Sequence, residues 1–381
     1  MTGRGRWGIA AALALGAVVM PAPEAGAQQV RIGDGAWADF GLFLQMRGDA
    51  AVRDGASGHD LTADYALSMV RGSVRGQIVP GLGFFVASGG DPNFGSFEIW
   101  DAALSLRATP WATVDAGRVL LPFVRHAQQF SNDLPTREFH RSAFMYPKGS
   151  ALRRRDAGVR VRGVVGDGRL DYRVAVTRGM ETEEGLPRLT GRVGLNGGEP
   201  EAGYVFPGMY LGGPEVVATG VAFDYQPGVV GGDAYYALGA DVFWNVPVRG
   251  ADRVQGQAAV VRYHGLNGRD PANEPVVVDR TGVGALLDAS YLEGAVGPLV
   301  AVEWFRPEGA RDLDRQLLAV YGGVNWWVRG SALALKLQGG MRKEPGLEWG
   351  DAHPSLTLQL QTRLPFPPAA RRIAAEEVRD D

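Results

Sequence analysis

The sequence of 381 residues has no cysteine, only three lysines and, after residue 20, no long apolar run. Without cysteine, the chain has neither a disulfide framework nor a thiolate metal site. Because 36 arginines nearly balance the acidic residues, the net charge is only −3, and nothing indicates a nucleic-acid partner. The missing apolar runs exclude membrane-spanning helices, which need roughly 20 such residues.

The N-terminus predicts a cleaved secretion signal over residues 1–27. Arg4 and Arg6 precede an apolar stretch at residues 8–20, and the small residues at 25–27 have the pattern that signal peptidases cut. The apolar stretch is too short for a membrane anchor. An exported chain without spanning helices is either soluble or crosses a membrane as strands.

Polar and apolar residues alternate along most of the chain, most clearly at residues 356–364. A period of two places one strand face against an apolar medium and the other against a polar one. Because a bilayer admits strands only when their sheet closes, we predict an all-β fold, a transmembrane antiparallel up-and-down β-barrel of about 16 strands. It spans residues 28–366 and lies in a Gram-negative outer membrane, followed by a periplasmic tail at 367–381.

Nine segments have clear apolar sets that we expect to face lipid. These sets are Ala38/Phe40/Leu42/Leu44/Met46, Val70/Gly72/Val74/Gly76/Ile78, Trp100/Ala102/Leu104/Leu106, Ala157/Val159/Val161/Gly163/Val165, Leu170/Tyr172/Val174/Val176, Val217/Thr219/Val221/Phe223/Tyr225, Tyr236/Leu238/Ala240/Val242/Trp244, Val300/Val302/Trp304 and Leu333/Leu335/Leu337/Gly339/Met341. Aromatic residues near strand ends predict interfacial girdles: Trp111, Tyr172, Tyr235, Trp244, Tyr291, Trp304, Trp326 and Trp327. The opposite faces are charged or small, as a water-filled lumen requires.

Connections between the segments alternate in length, which predicts tight turns at one end of the barrel and long loops at the other. The longest, residues 120–154, is too long for a plain connector, and its aromatic content favours packing inside the barrel as a constriction loop. Within it, residues 135–141 suit a short helix that would place Arg137 and Arg141 on one face. Residues 196–214 are longer than a tight turn should be.

The constriction loop carries most of the candidate site residues. Between residues 125 and 156, seven cationic side chains stand against three anionic ones. The candidate anion contacts are Arg125, Arg137, Arg141, Lys148, Arg153, Arg154 and Arg155, reinforced on the lumen wall by Arg71, Arg75, Arg160 and Arg162. A guanidinium stays charged and can hold two oxygens, which suits an anion site. The alternative is that these arginines pair with Asp133, Glu138 and carboxylates of the lumen.

The start and end of this loop resemble the phosphate-selective porin O and P family of Gram-negative outer membranes. The resemblance lies in residues 115–124, Asp-Ala-Gly-Arg-Val-Leu-Leu-Pro-Phe-Val, and residues 153–159, Arg-Arg-Arg-Asp-Ala-Gly-Val. It implies a sixteen-stranded, often trimeric channel for anions or small solutes, without a cofactor. Its partners would be outer-membrane lipid and the barrel-assembly machinery. Having only three lysines, the chain departs from the lysine-rich members that are specific for phosphate.

Three other interpretations remain open. A barrel enzyme would need a nucleophile and a base within reach, but the five histidines are scattered, and only His126 and His140 could share the constriction. A binding protein or adhesin would use long outer loops such as residues 265–280, which contain no recognisable motif. A soluble β-sandwich is opposed by the polar faces of nearly every segment.

Overall fold

The computed structural model describes residues 29–32, 35–55, 58–90, 97–143, 154–179, 185–230, 233–265, 281–308, 316–343, 352 and 354–364. In this part of the chain, no helix is long and apolar enough to cross a membrane. The predicted signal at 1–27 and tail at 367–381 lie outside the described residues, as do Lys148, Arg153 and most of the outer loop at 265–280.

Eighteen strands are formed by the described residues. They are β1 (Gln29–Ile32), β2 (Ala36–Gly55), β3 (Gly58–Val79), β4 (Leu82–Gly90), β5 (Glu98–Thr109), β6 (Ala112–Leu120), β7 (Arg155–Val165), β8 (Leu170–Thr177), β9 (Arg188–Gly198), β10 (Val216–Val230), β11 (Asp233–Arg249), β12 (Asp252–His264), β13 (Gly282–Leu292), β14 (Val296–Pro307), β15 (Leu317–Trp326), β16 (Val328–Ser331), β17 (Leu333–Lys343) and β18 (Pro354–Arg363).

Sixteen of these strands close into one antiparallel barrel. Each strand from β2 to β14 pairs with the next along the chain, β15 pairs with β17, and β17 pairs with β18. The ring closes where β18 pairs with β2 through nine residue pairs, from Ser355–Ala51 to Arg363–Phe43. The short strand β1 covers the part of β2 beyond this seam. Among the described residues between β6 and β7 are three short 3-10 helices, Arg125–Gln128, Ser131–Asp133 and Arg141–Ala143. The predicted sixteen-stranded barrel is confirmed.

The alternation of the sequence sets the two faces of the wall. On β10, Val217, Val221 and Phe223 are exposed on the outer face, while the alternate residues Ala218, Ala222 and Asp224 are buried inside. The same two-residue period follows β8, β11, β14 and β18. A lipid-facing apolar surface around a polar interior is the arrangement of a transmembrane barrel.

Three aromatic residues depart from their predicted faces. Between β4 and β5, Ala87 pairs with Asp101 but Ser88 pairs with Ile99, so a bulge leaves Trp100 buried and exposes Ile99 instead. One extra residue in a strand reverses the side chains beyond it. Tyr235 and Trp327 were predicted in the outer girdles, yet both are buried, and Tyr235 donates a hydrogen bond to the inward carboxylate of Asp224.

The two ends of the barrel differ as the connection lengths predict. At one end, which we call the turn end, β3–β4, β5–β6, β7–β8 and β11–β12 are joined by two to four residues. In the β7–β8 turn, Gly166, Asp167 and Gly168 all have positive φ, a conformation that glycine and aspartate tolerate. The opposite end carries the longer connections and is called the loop end.

Two long segments fold into the barrel. Residues 121–143 of the constriction loop enter from the loop end, and Leu121, Phe123, Val124 and Ala127 form a buried cluster with inward residues of β10–β15. Residues 199–215, which we call the strap, enter from the turn end, where Phe206 is buried as well. The inward-folded constriction loop is confirmed, and the excess length of residues 196–214 reflects a second internal segment.

Candidate functional site

The constriction loop is held to one wall through its backbone. Lys336 Nζ donates to the carbonyl oxygen of Leu134 at 2.7 Å. The amides of Asn325 and Gln338 both donate to the carbonyl oxygen of Pro135, at 2.8 and 2.9 Å. Because wall side chains bind the backbone groups that a helix would use internally, the helix predicted at 135–141 does not form, and residues 135–138 are a series of bends.

The other part of the loop is anchored by two buried histidines. The backbone N–H of His140 donates to Nε2 of His126 at 2.9 Å, and the His140 ring lies 3.5 Å from a carboxylate oxygen of Asp288 and 3.9 Å from one of Glu303. Burial lowers the pKa of His140, but these two carboxylates overcome it and raise the pKa to about 9. Burial and the neighbouring His140 lower the pKa of His126. The pair therefore fixes the loop to β13 and β14.

The histidine pair bears on the alternative of a barrel enzyme. His126 and His140 do share the constriction, with ring centroids 5.1 Å apart, but each is only 1% exposed. The neighbouring Ser142 is equally buried, and its hydroxyl donates to the carbonyl oxygen of Ala285. A substrate in the lumen would not reach these groups as they stand.

Along β5 to β11, the arginines of the inner wall form a dry network with carboxylates. The five arginines of this network and their partners are buried, except Arg162, whose side chain is 13% exposed. The pairs are Arg155–Asp101 at 2.9 Å, Arg160–Asp115 at 2.7 Å, Arg162–Asp115 at 3.0 Å, Arg192–Asp171 at 3.0 Å, Arg192–Asp241 at 2.6 Å and Arg188–Asp224. Because each arginine faces a carboxylate, this network contributes little net charge to the lumen.

Several other charges keep contact with water on the opposite side, on β2, β3, β17 and β18 and on the constriction loop beside them. Near the loop end, Arg137 and Arg342 flank Glu138, whose carboxylate lies 3.6 and 2.8 Å from them. Their side chains are 13%, 15% and 30% exposed. Arg47 joins this group by donating to the carbonyl oxygen of Arg137 at 3.1 Å, and Arg141 is exposed. We call these five residues the solvated cluster.

The solvated cluster is positive overall. Burial alone raises the pKa of Glu138, but Arg342, Arg137, Arg47 and Arg141 together hold it below its usual value. Four guanidinium groups therefore act on Glu138, and one of them, Arg342, also lies 3.6 Å from a carboxylate oxygen of Glu303. Near the turn end, Arg75 and Arg363 form a second, smaller group with Asp39 and Asp133, at distances of 3.4 and 3.9 Å.

The predicted site residues thus separate into different environments. Arg137 and Arg141 belong to the solvated cluster, and Arg75 is 21% exposed near the turn end. The others among the described residues are held by specific partners: Arg125 by Glu201, Arg154 by the carbonyl oxygens of His126, Ala127 and Gln129, Arg155 by Asp101, Arg160 and Arg162 by Asp115, and Arg71 by Asn132. All of these arginines are buried except Arg162.

Sequence reasoning missed three members of these groups, Arg47, Arg342 and Arg363. Alternation placed all three on inward faces, but nothing in the sequence separates them from inward arginines that are neutralised. The strap was also missed, although its length and its aromatic residues Tyr204, Phe206 and Tyr210 are the same signals that identified the constriction loop.

Comparison with family models and with curated proteins finds no match to the sequence. Solved structures do match the fold. An anion-selective porin from Comamonas acidovorans has a TM-score of 0.59 at 15% identity, with 86% of this chain and 99% of that chain covered. OmpF of Salmonella typhi, in complex with daunomycin, has a TM-score of 0.57 at 10% identity, with 88% of this chain and 100% of that chain covered. The outer-membrane channel DcaP of Acinetobacter baumannii has a TM-score of 0.55 at 14% identity, with 87% of this chain and 99% of that chain covered.

These likenesses extend over almost the whole length of the known porins. At such low identity they establish the fold, that of Gram-negative outer-membrane porins. The narrower resemblance to the phosphate-selective O and P family stays a prediction.

Proposed function

We propose that the chain is an outer-membrane porin, a channel for passive diffusion of small solutes with a modest preference for anions. The closed barrel supplies a polar lumen, and its fold is shared with several channels of known structure. The observation that carries the anion preference is the solvated cluster, in which four arginines face Glu138. In a narrow passage such charges are screened less than surface charges and concentrate the opposite ion.

The preference should be modest because opposing charges share the passage. Glu138 and Asp49 offset part of the positive charge near the loop end, and Asp133 does so near the turn end. Arg75 and Arg363 are balanced there by Asp39 and Asp133, so this second opening adds little net charge. Phosphate is one anion of suitable size and charge. A guanidinium fork can hold it through two oxygens, but the same cluster fits carboxylates, so we propose anions as a class.

Ion selectivity in a planar bilayer tests the proposal. Insertion of the purified protein should give discrete conductance steps. In a KCl gradient, the reversal potential should lie between zero and the equilibrium potential of chloride. Absence of steps from protein that shows the heat-dependent gel shift of a folded barrel would contradict channel function. The expected partners are outer-membrane lipid and the barrel-assembly machinery, and native gels with chemical cross-linking would test the homotrimer that the family resemblance implies.

A further inference from the structure

The strap crosses much of the width of the barrel. It leaves the wall after Gly198 on β9 and returns at Val216 on the adjacent strand β10. In between, the Tyr204 hydroxyl donates to Asp101 on β5 at 3.2 Å, and Met209 packs with Trp327 and Ala334 beside and on β17. In the ring of sixteen strands β17 is seven places from β9, nearly the opposite side. Two segments therefore fill the lumen, one from each end.

The strap and the constriction loop are joined by one buried ion pair. Arg125 of the loop donates two hydrogen bonds to the carboxylate of Glu201, at 2.5 and 2.7 Å, and its guanidinium lies over the ring of Phe206 at 4.6 Å. The Phe206 N–H also donates to the carbonyl oxygen of Gln128 at 3.1 Å. The fit is close, since a Cβ on Gly208 would lie 2.5 Å from the carbonyl oxygen of Asp133.

Besides the apolar contacts of Met209, two arginines of the wall contact the strap in another way. Arg160 and Arg162 donate to the carbonyl oxygens of Tyr204 and Ala202, at 3.3 and 2.5 Å, while both are already paired with Asp115. Removal of the strap would leave these wall ion pairs intact. Arg125 differs, because Glu201 is the carboxylate that its guanidinium contacts among the described residues.

The ends of the strap have backbone conformations suited to a hinge. Gly198 has a φ of 101° and Gly212 a φ of 85°. Glycine is the residue that adopts such values readily and can leave them without steric cost. Burying an ion pair costs desolvation that a purely apolar contact would avoid. Both charges regain water when the two segments separate, so this contact is more easily reversed than an apolar one.

We propose that the strap is a gate that closes the lumen from the turn end and locks the constriction loop through the Arg125–Glu201 pair. The inference rests on the proposed channel function. When the strap withdraws toward the turn end, the lumen widens, Glu201 leaves it and Arg125 faces water. The open state should therefore conduct more and prefer anions more strongly than the closed state.

The first experiment compares single-channel recordings of wild type, Glu201→Gln and a strap excision in which residues 201–213 are replaced by a short glycine-serine linker. Glu201→Gln keeps the shape of the side chain but leaves Arg125 as a buried unpaired charge, which disfavours the closed state. We expect the ratio of open to closed dwell times to rise about tenfold, equivalent to about 1.4 kcal/mol. The excision should stay at the larger conductance level and shift the reversal potential further toward chloride.

Tyr291→Phe provides the matched control. Tyr291 lies at the same end of the barrel but outside the lumen, and its hydroxyl donates to Asp252 at 2.7 Å. This change also removes one polar contact to a carboxylate, and it should leave gating unchanged. If Glu201→Gln does not insert, Glu201→Asp, which keeps the charge but shortens its reach, tests the same contact.

The second experiment uses the absence of cysteine. A single cysteine introduced as Met209→Cys lies on the strap, is buried against Trp327 and Ala334 while the strap is in place, and should react slowly with a charged thiol reagent. In the Glu201→Gln background its modification should be about tenfold faster, in line with the gating ratio. Ala319→Cys is the control, because Ala319 is buried in a separate cluster with Leu299, Ala301 and Tyr321 and should react at the same rate in both backgrounds.

The outcomes separate the gate from the channel. Equal gating and equal Met209→Cys modification in wild type and Glu201→Gln would overturn the gate and leave the channel proposal standing. Lack of conductance in wild type, point variants and strap excision alike, in folded protein, would overturn both proposals.

Discussion

The two sides of the lumen use the same residue types in opposite ways. Along β5 to β11, arginines and carboxylates are buried in pairs, as in Arg160–Asp115, where both side chains have no exposed surface. On the other side, Arg75 on β3, Arg137 on the constriction loop and Arg342 on β17 keep 13 to 21% of their side-chain surface exposed, a value that only Arg162 reaches in the dry network. The number of arginines in a barrel therefore does not determine its selectivity. We propose that access to water determines which of them act on a permeating ion.

The difference follows from where the internal segments pack. The strap and the first part of the constriction loop lean on the β5–β13 side and exclude water from it. Desolvation makes an unpaired charge costly there, so each arginine needs a carboxylate. The solvated side is touched mainly by residues 132–138 of the loop, and its charges remain partly hydrated at both openings.

Shortening the constriction loop should have the largest effect on conduction. Replacing residues 131–143 by three glycines removes the segment that binds Lys336, Gln338 and Gln361 across the lumen. Single-channel conductance should then rise severalfold. A correctly folded variant with unchanged conductance would place the loop outside the conduction path. Shortening the β2–β3 hairpin by a similar length, including the exposed residues 60–65 of β3, is the control.

Breaking a dry pair should mainly destabilise the barrel. Asp115→Asn leaves Arg160 and Arg162 without their carboxylate, and loss of one partner of a buried pair costs about 3–5 kcal/mol. The matched change on the solvated side, Asp49→Asn, should cost about 1 kcal/mol or less. Urea unfolding in detergent, followed by the gel shift, measures both. Equal losses would show that the two regions are not different in the way described.

Ion selectivity, unlike stability, should change more with substitutions in the solvated cluster than with substitutions in the dry network. Neutralising the solvated cluster with Arg137→Gln and Arg342→Gln should move the reversal potential in a KCl gradient toward potassium, and Glu138→Gln should move it toward chloride. Because several other charges remain, we expect a change in the permeability ratio of about twofold or threefold. Arg160→Met, in the dry network, should leave the ratio nearly unchanged in protein that still folds.

The smallest effect should come from the histidine anchor. The pKa of His140 is raised above its usual 6.5, so its charge stabilises the docked loop fully below that pH, and the contribution is lost as pH rises through about 9. Channel noise should therefore increase between pH 8 and 10 in wild type. The variant His140→Gln, which has no such charge, should be noisier at pH 7 and show no further rise over that interval.

Much of the fold was predictable because alternation is a local signal. The sixteen strands, the inward arginines and the internal course of the constriction loop all follow from residues close together in sequence. Trp100 was placed on the wrong face because a bulge depends on how β4 and β5 pair. The helix predicted at 135–141 failed because Asn325, Lys336 and Gln338, almost two hundred residues away, bind the backbone of the loop.

The site was less predictable for the same reason. Arg125 and Arg137 are equivalent in the sequence, yet the strap pairs Arg125 with Glu201 while Arg137 stays in contact with water. The sequence contains the charges, but only the packing of two distant segments decides which of them face the solvent.

The reversal potential of the wild-type channel in a KCl gradient tests the central claim most directly. Since the solvated arginines outnumber the solvated carboxylates, the account predicts a potential on the chloride side, reduced by high salt as screening increases. A wild-type channel that is cation-selective at low salt would contradict the assignment of the solvated cluster as the group that acts on permeating ions.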